Sequence, residues 1–276
     1  MRAIVLSAAI TALCLPLCPA QSRGNINPQE IIRKFAAKEA EFREALNNYV
    51  YRQSVSLEEV GADERRTGGK WGEIDDFIFG PGGKRTEKVL SDPNTSLKHL
   101  QLTPQDVQDL RDVQPFVLTT QDIGDYSVNY LGRGEYGVTY LPSSFTSAPP
   151  PPIDISCNMF SVKPKKMVRD KRYFEGQIWV DDRDPQVVKT YGRGVGIVSR
   201  PYQSIQFETY RQQIDGKHWF PNRAFAIDTL HFPDGQAQRI YITVEYSDYK
   251  RYQGETYGGV TDDTKNGTAA PPPKKQ

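Results

Sequence analysis

Between residues 153 and 252 the chain alternates β-branched or aromatic side chains with polar ones in six successive runs, 153–163, 173–181, 187–192, 204–213, 219–232 and 237–252. A period of two over such lengths predicts strands. The connections are turn chemistry: Asp182-Arg183-Asp184-Pro185, Asp215-Gly216 and Pro233-Asp234-Gly235. Connections this short exclude parallel neighbours, which need crossovers of about a dozen residues or more. In the last run Ile240, Ile242, Val244 and Tyr246 share one face, and Arg239, Tyr241, Thr243 and Glu245 share the other. This part of the chain is therefore expected to form an antiparallel sheet.

The first half adds a helix and further strands. Asn27-Pro28 is a helix start with Asn27 as cap and Pro28 in the first position. Ile31, Ile32, Phe35, Phe42, Ala45, Leu46 and Tyr49 follow at helical spacings, predicting an amphipathic helix over 28–46. Strands are expected from Tyr49, over 71–79 and over 84–90, with a turn at Gly80-Pro81-Gly82-Gly83. Thr103-Pro104-Gln105-Asp106 starts a short helix reaching about 113, and a strand pair is expected near 126–140. Ala148 and the four prolines 149–152 form an extended insertion near 142–152 that no central strand accommodates. The fold class expected is α+β: a strongly curved antiparallel sheet, an incomplete β-barrel, wrapping one long N-terminal helix plus a short one. It forms a single domain over 26–253.

Both ends lie outside that domain. Met1-Arg2, the apolar run 3–17 and Cys18-Pro19-Ala20 form a secretory signal, with cleavage expected after Ala20 and a periplasmic destination. Pro16 and Pro19 interrupt a run too short to span a membrane, so no integral membrane segment is expected in the mature chain. Leu13 before Cys14 and Leu17 before Cys18 argue against lipoprotein anchoring. Residues 254–276, rich in Gly, Thr, Pro and Lys, have little to bury and read as a disordered tail. A net charge of +1 argues against a nucleic-acid partner. Cleavage leaves Cys157 as the one cysteine, expected to be a buried, unreactive thiol.

Sequence motifs for chemistry fail on context. Gly132-Arg133-Gly134-Glu135-Tyr136-Gly137 has dinucleotide spacing but continues as strand, so its glycines are read as a turn or bulge. Gly192-Arg193-Gly194-Val195-Gly196 is read as a flexible connection, and Gly80–Arg85 lacks the residues of a phosphate loop. None of His99, His218 and His231 has metal-ligand helical spacing, although His218 and His231 across a hairpin, joined by Asp215 or Asp228, remain an alternative. The pairs Asp75-Asp76, Asp181-Asp182 and Asp262-Asp263 are read as turn or strand-end residues. No nucleophile elbow is legible. No catalytic residue, metal or cofactor is expected.

Three segments carry a family resemblance: a helix followed by Tyr49-Val50-Tyr51; Phe174-Glu175-Gly176-Gln177-Ile178-Trp179-Val180-Asp181 followed by Pro185-Gln186-Val187-Val188-Lys189; and Phe207-Glu208-Thr209-Tyr210 with Asp215-Gly216-Lys217-His218-Trp219-Phe220-Pro221. With the exported N-terminus, this pattern resembles the LolA/LolB-like superfamily of periplasmic lipoprotein-sorting and lipid carrier proteins. The likeness is best over 170–252, fair over 26–60 and poor over 91–150. It implies a non-enzymatic binding protein holding acyl chains of a lipid or lipoprotein between sheet and helix, as carrier or envelope sensor. Phe35, Phe42, Leu46, Trp179, Phe207 and Trp219 are the candidate lining residues, or plain core. The alternative is an envelope interaction or regulatory protein that binds a peptide or protein with the same fold; an exported hydrolase is a weaker one.

Overall fold

The computed structural model describes residues 26–79, 85–91, 94–111, 116–136, 155–197, 204–232 and 234–252. The expected signal, the Gly-Pro turn, the proline run and the tail lie outside the described residues. Helix α1 (Pro28–Leu46) leads into β1 (Tyr49–Val60), β2 (Arg66–Phe79), β3 (Arg85–Val89) and the short β4 (Asn94–Thr95). Helix α2 (Pro104–Arg111) separates these from β5 (Tyr126–Glu135), β6 (Ser156–Pro164), β7 (Arg172–Asp181), β8 (Val187–Gly196), β9 (Gln206–Ile214), β10 (His218–His231) and β11 (Ala237–Arg251). All eleven strands form one antiparallel sheet in the order β3-β2-β1-β11-β10-β9-β8-β7-β6-β5, with β4 pairing β2. The sheet does not close: β3 stands at one end and β5 at the other. Among the described residues the fold is α+β, an incomplete barrel with two α-helices.

Local chemistry explains where the elements begin. The Asn27 side chain accepts from the N–H groups of Gln29 and Glu30, and Pro28 needs no N–H partner there. Phe35, Ala36, Glu39, Phe42 and Leu46 make the buried stripe of α1, which lies against β10 and β5. At α2, Thr103 and Asp106 cap each other: the Thr103 N–H donates to the Asp106 carboxylate at 2.8 Å, and the Asp106 N–H to Thr103 Oγ1 at 3.2 Å. Leu100 and Leu110 from this segment join the buried cluster that includes Leu57, Trp71 and Ile242 of the sheet. The segment is held by Glu59 on β1, whose buried carboxylate accepts the N–H groups of Lys98, His99 and Leu100 at 2.7–3.2 Å. Burial pushes the Glu59 carboxyl up, but those three backbone donors outweigh it and hold the group below the usual carboxylate range.

Several elements differ from the sequence expectation. Residues 126–135 form a single strand that pairs with β6, not a local hairpin; the rest of the expected pair, 137–140, falls outside the described residues. Gly132 marks a bulge there, with φ +116 and the register shifting between Tyr130 and Gly132. Residues 192–196 are no flexible connection but the end of β8. Their glycines serve close approach: Gly192 faces Gly176 across the β7–β8 pair. A Cβ at Gly192 would strike the Phe174 ring and stand 2.6 Å from the Glu175 carbonyl oxygen. Asp75 and Asp76 are not turn residues but buried members of β2. His218 and His231 sit at opposite ends of the one strand β10, about 40 Å apart at the usual strand rise, so they cannot share a ligand. Gly192→Val is expected to cost about 2 kcal/mol or more, because the added side chain overlaps both the Phe174 ring and the Glu175 carbonyl oxygen, and that carbonyl is part of the paired backbone. Urea denaturation measures that loss.

Candidate functional site

The space expected to hold a ligand lies between α1 and the sheet, and aromatic contacts occupy it. Phe35 meets Phe160 of β6 with ring centroids 5.7 Å apart, and Phe42 meets Phe220 of β10 at 5.6 Å. Tyr49 closes on the other side of Phe220 at 4.8 Å. At these separations the rings are in van der Waals contact, so helix and sheet touch directly at these positions. At the centre, Arg211 of β9 donates to the Glu39 carboxylate at 2.7 and 3.0 Å and to the Phe116 carbonyl at 2.8 Å. Its guanidinium lies 4.4 Å from the Phe42 ring centroid, and both members of the ion pair are buried.

The opposite face of the sheet carries its own buried cluster: Val60, Tyr136, Ile155, Cys157, Trp179, Val188, Tyr210, Trp219, Phe225 and Tyr241. Within it, Lys189 of β8 and Glu208 of β9 form an ion pair at 2.7 Å with both side chains fully buried. The Lys189 ammonium stands 4.6 Å from the Trp179 ring and 4.9 Å from the Tyr210 ring, and the Tyr210 hydroxyl donates to Glu208 at 2.6 Å. Burial pulls the Lys189 amine below its ordinary range, although Glu208 opposes the shift. Burial likewise pushes the Cys157 thiol up to about 12, which leaves it unreactive as expected. Tyr136 crosses this face and donates from its hydroxyl to the Arg211 carbonyl at 2.8 Å.

The six predicted lining residues do not line one space. Phe35, Phe42 and Leu46 are buried on the helix side of the sheet, and Phe207 is partly buried there. Trp179 and Trp219 are on the other face, because each adjoins in sequence a residue that faces the helix side: Ile178, register partner of Phe160, and Phe220, against Phe42. The four buried charges Glu39, Arg211, Lys189 and Glu208 were absent from the sequence-based site. Glu39 had one available signal, its position four residues after Phe35 on the apolar stripe. Among the described residues no three His, Cys, Asp or Glu side chains converge as a metal would require, and no helix is long and apolar enough to cross a membrane.

A third buried polar group lies on the helix side near the β3 end. Glu73 is paired with Arg111, the last residue of α2. Asp75, two residues along β2, is buried with both carboxyl oxygens unpartnered, and so is the side-chain oxygen of Gln53 directly across the pair. Burial, with the Glu73 and Glu87 charges nearby, pushes the Asp75 carboxyl up to about 7. A proton held by Asp75 would let it donate to Gln53 and would remove a third negative charge from the cluster.

The end strands of the sheet are β3 and β5. Among the described residues β5 pairs with β6 along one edge only, and β3 pairs only with β2. Beside its bulge β5 presents Leu131, 49% exposed. The chain matches no protein-family model and no curated protein. Among solved structures it is similar to a chain of the Pseudomonas aeruginosa MucA/MucB complex, at 10% identity and a TM-score of 0.22, over 82% of this chain and 99% of that one. It is also similar to MucB in complex with MucA(peri), at 11% identity and a TM-score of 0.21, over 78% and 97%. Likenesses this distant carry no weight for function.

Two expected outcomes follow from the buried charges. Lys189→Met leaves Glu208 buried without its cation and costs about 3 kcal/mol, whereas Lys189→Met with Glu208→Gln recovers most of the loss; a double-mutant cycle in urea measures both. For Asp75 the folded-state value lies above the unfolded one, so its contribution to stability declines as pH rises from the ordinary carboxylate range toward 7. Asp75→Asn is accordingly expected to stabilise the protein by about 1–3 kcal/mol at pH 8 and to change little near pH 4.5. Thermal melts at the two pH values would show it.

Proposed function

We propose that this chain is a non-enzymatic binding protein of the cell envelope that recognises a protein partner, and that an extended segment of the partner pairs with the edge of β5 that is unpaired among the described residues. The observation that carries this reading is the combination of direct aromatic contact between helix and sheet with a strand edge that is unpaired among the described residues. Phe35 and Phe42 lie directly against Phe160 and Phe220 with Arg211 over Phe42, while β5 offers ten residues of backbone with one edge unpaired among the described residues. An unpaired edge is a template for strand addition, with main-chain bonds supplying affinity and alternate side chains supplying selectivity. Asn129, Leu131, Arg133 and Glu135 are exposed along β5 and give such selectivity a mixed apolar and charged character. Export rests on the sequence of residues 1–20.

A photo-crosslinking residue at Asn129 or Leu131 is expected to capture one defined envelope protein in cells, and the same residue at Lys88 on the opposite end of the sheet to capture none. Lipid co-purifying in stoichiometric amounts, with no adduct from β5, would restore the carrier reading in place of this one.

A further inference from the structure

We propose that the tip joining β6 to β7 is a docking surface for a membrane bearing anionic phospholipid. The chain is nearly neutral, with 35 Lys and Arg against 34 Asp and Glu, yet six of the ten residues from Lys163 to Arg172 are cations and one is an anion. The charge is therefore concentrated at one place on a molecule that elsewhere carries an anionic excess. In the middle of this run Met167 and Val168 are 37% and 54% exposed. Arg169 bridges to Ile197 at the end of β8, which brings a third apolar side chain, 52% exposed, to the same tip.

The tip is a built loop. The Lys165 N–H donates to the Asp125 carbonyl at 2.8 Å and the Asp170 N–H to the Ile197 carbonyl at 2.7 Å. The Val168 N–H donates to the Tyr173 hydroxyl at 3.3 Å, and Asp170 takes the left-handed conformation at φ 59 that turns the chain back. At its base Lys171 pairs with Asp125 at 2.7 Å, and Lys163 with Glu175 at 3.6 Å. Lys166 and Arg169, beside the apolar residues, are exposed and form no ion pair with the described residues. Exposed apolar side chains ringed by cations fit the boundary of a bilayer: the apolar atoms enter between headgroups while the ammonium and guanidinium groups meet phosphates. An acidic peptide would need a groove or a strand edge, whereas this tip presents a connecting loop with its apolar side chains outward.

Vesicle sedimentation of the purified protein tests the proposal. Binding to mixed phosphatidylcholine–phosphatidylglycerol vesicles is expected to exceed binding to phosphatidylcholine alone by about tenfold or more, and to fall with added salt. Lys166→Glu with Arg169→Glu should abolish the preference for anionic vesicles, and Met167→Ser with Val168→Ser should weaken binding several-fold while leaving the salt dependence. These side chains are exposed, and an unchanged circular dichroism spectrum would show that the variants fold. Equal binding to both vesicle types, or variants that bind like the parent, would overturn the proposal. So would tip-dependent binding of poly-glutamate by a protein that ignores vesicles, which would assign the tip to an acidic protein. None of these readouts depends on the edge of β5.

Discussion

Arg211 is the residue through which the separate parts of this fold meet. Its guanidinium binds Glu39 on α1 and the Phe116 carbonyl while covering Phe42, and its own carbonyl receives the Tyr136 hydroxyl from the other face of the sheet. One position on β9 thus ties the helix, the segment after α2 and the chain leaving β5. Moving two charges out of water costs several kcal/mol per ion, so such a pair adds little net stability. What it adds is discrimination, because any shift of α1 along the sheet strands a buried charge. With α1 held there, Phe35 and Phe42 are pressed onto Phe160 and Phe220, and the helix side of the sheet is filled along that line.

The far face repeats this arrangement with different parts. Trp179, Lys189 and Glu208 each come from one of the short segments that carry the resemblance to lipid carriers. In the structure they are a single unit: the Lys189 ammonium sits against Trp179 and Tyr210 and pairs with Glu208. Side chains so buried can be dictated by the packing of β7, β8 and β9 on one another. A resemblance built on them speaks for how three strands pack and says nothing about a ligand.

Much of the fold was legible because the relevant signals are local. Asn27-Pro28 and the apolar spacing set α1 at Pro28–Leu46, and period-two alternation with Asp-Gly turns set the six strands of the second half. Sidedness was less accessible. Alternation shows that Trp219 and Phe220 point to opposite faces, but only the tertiary contact of Phe42 shows which of the two the helix covers. Pairing across long separations was hidden too: Tyr126–Glu135 finds its partner beyond the proline insertion, and Gly192 reads as a hinge until Gly176 and the Phe174 ring stand against it. Beyond the place of Glu39 on the apolar stripe, the buried charges carry no local signal, since Lys and Glu are almost never fully buried unless paired, and the pairs here join positions 172 and 19 residues apart.

The cationic tip and the edge strand are joined at their base. The Lys171 ammonium pairs with the Asp125 carboxylate immediately before β5, and the Lys165 N–H bonds the carbonyl of the same residue. The Lys165 ammonium donates to the Gly124 carbonyl alongside. The start of β5 and the β6–β7 tip are therefore linked by three short-range contacts. A segment added along β5 would run beside the tip, so a partner taken at this edge would be held next to whatever surface the tip meets. Were the proposed partner held in the surface that the tip meets, that placement would let the two contacts reinforce each other, because the second would form at the high effective concentration set by the first.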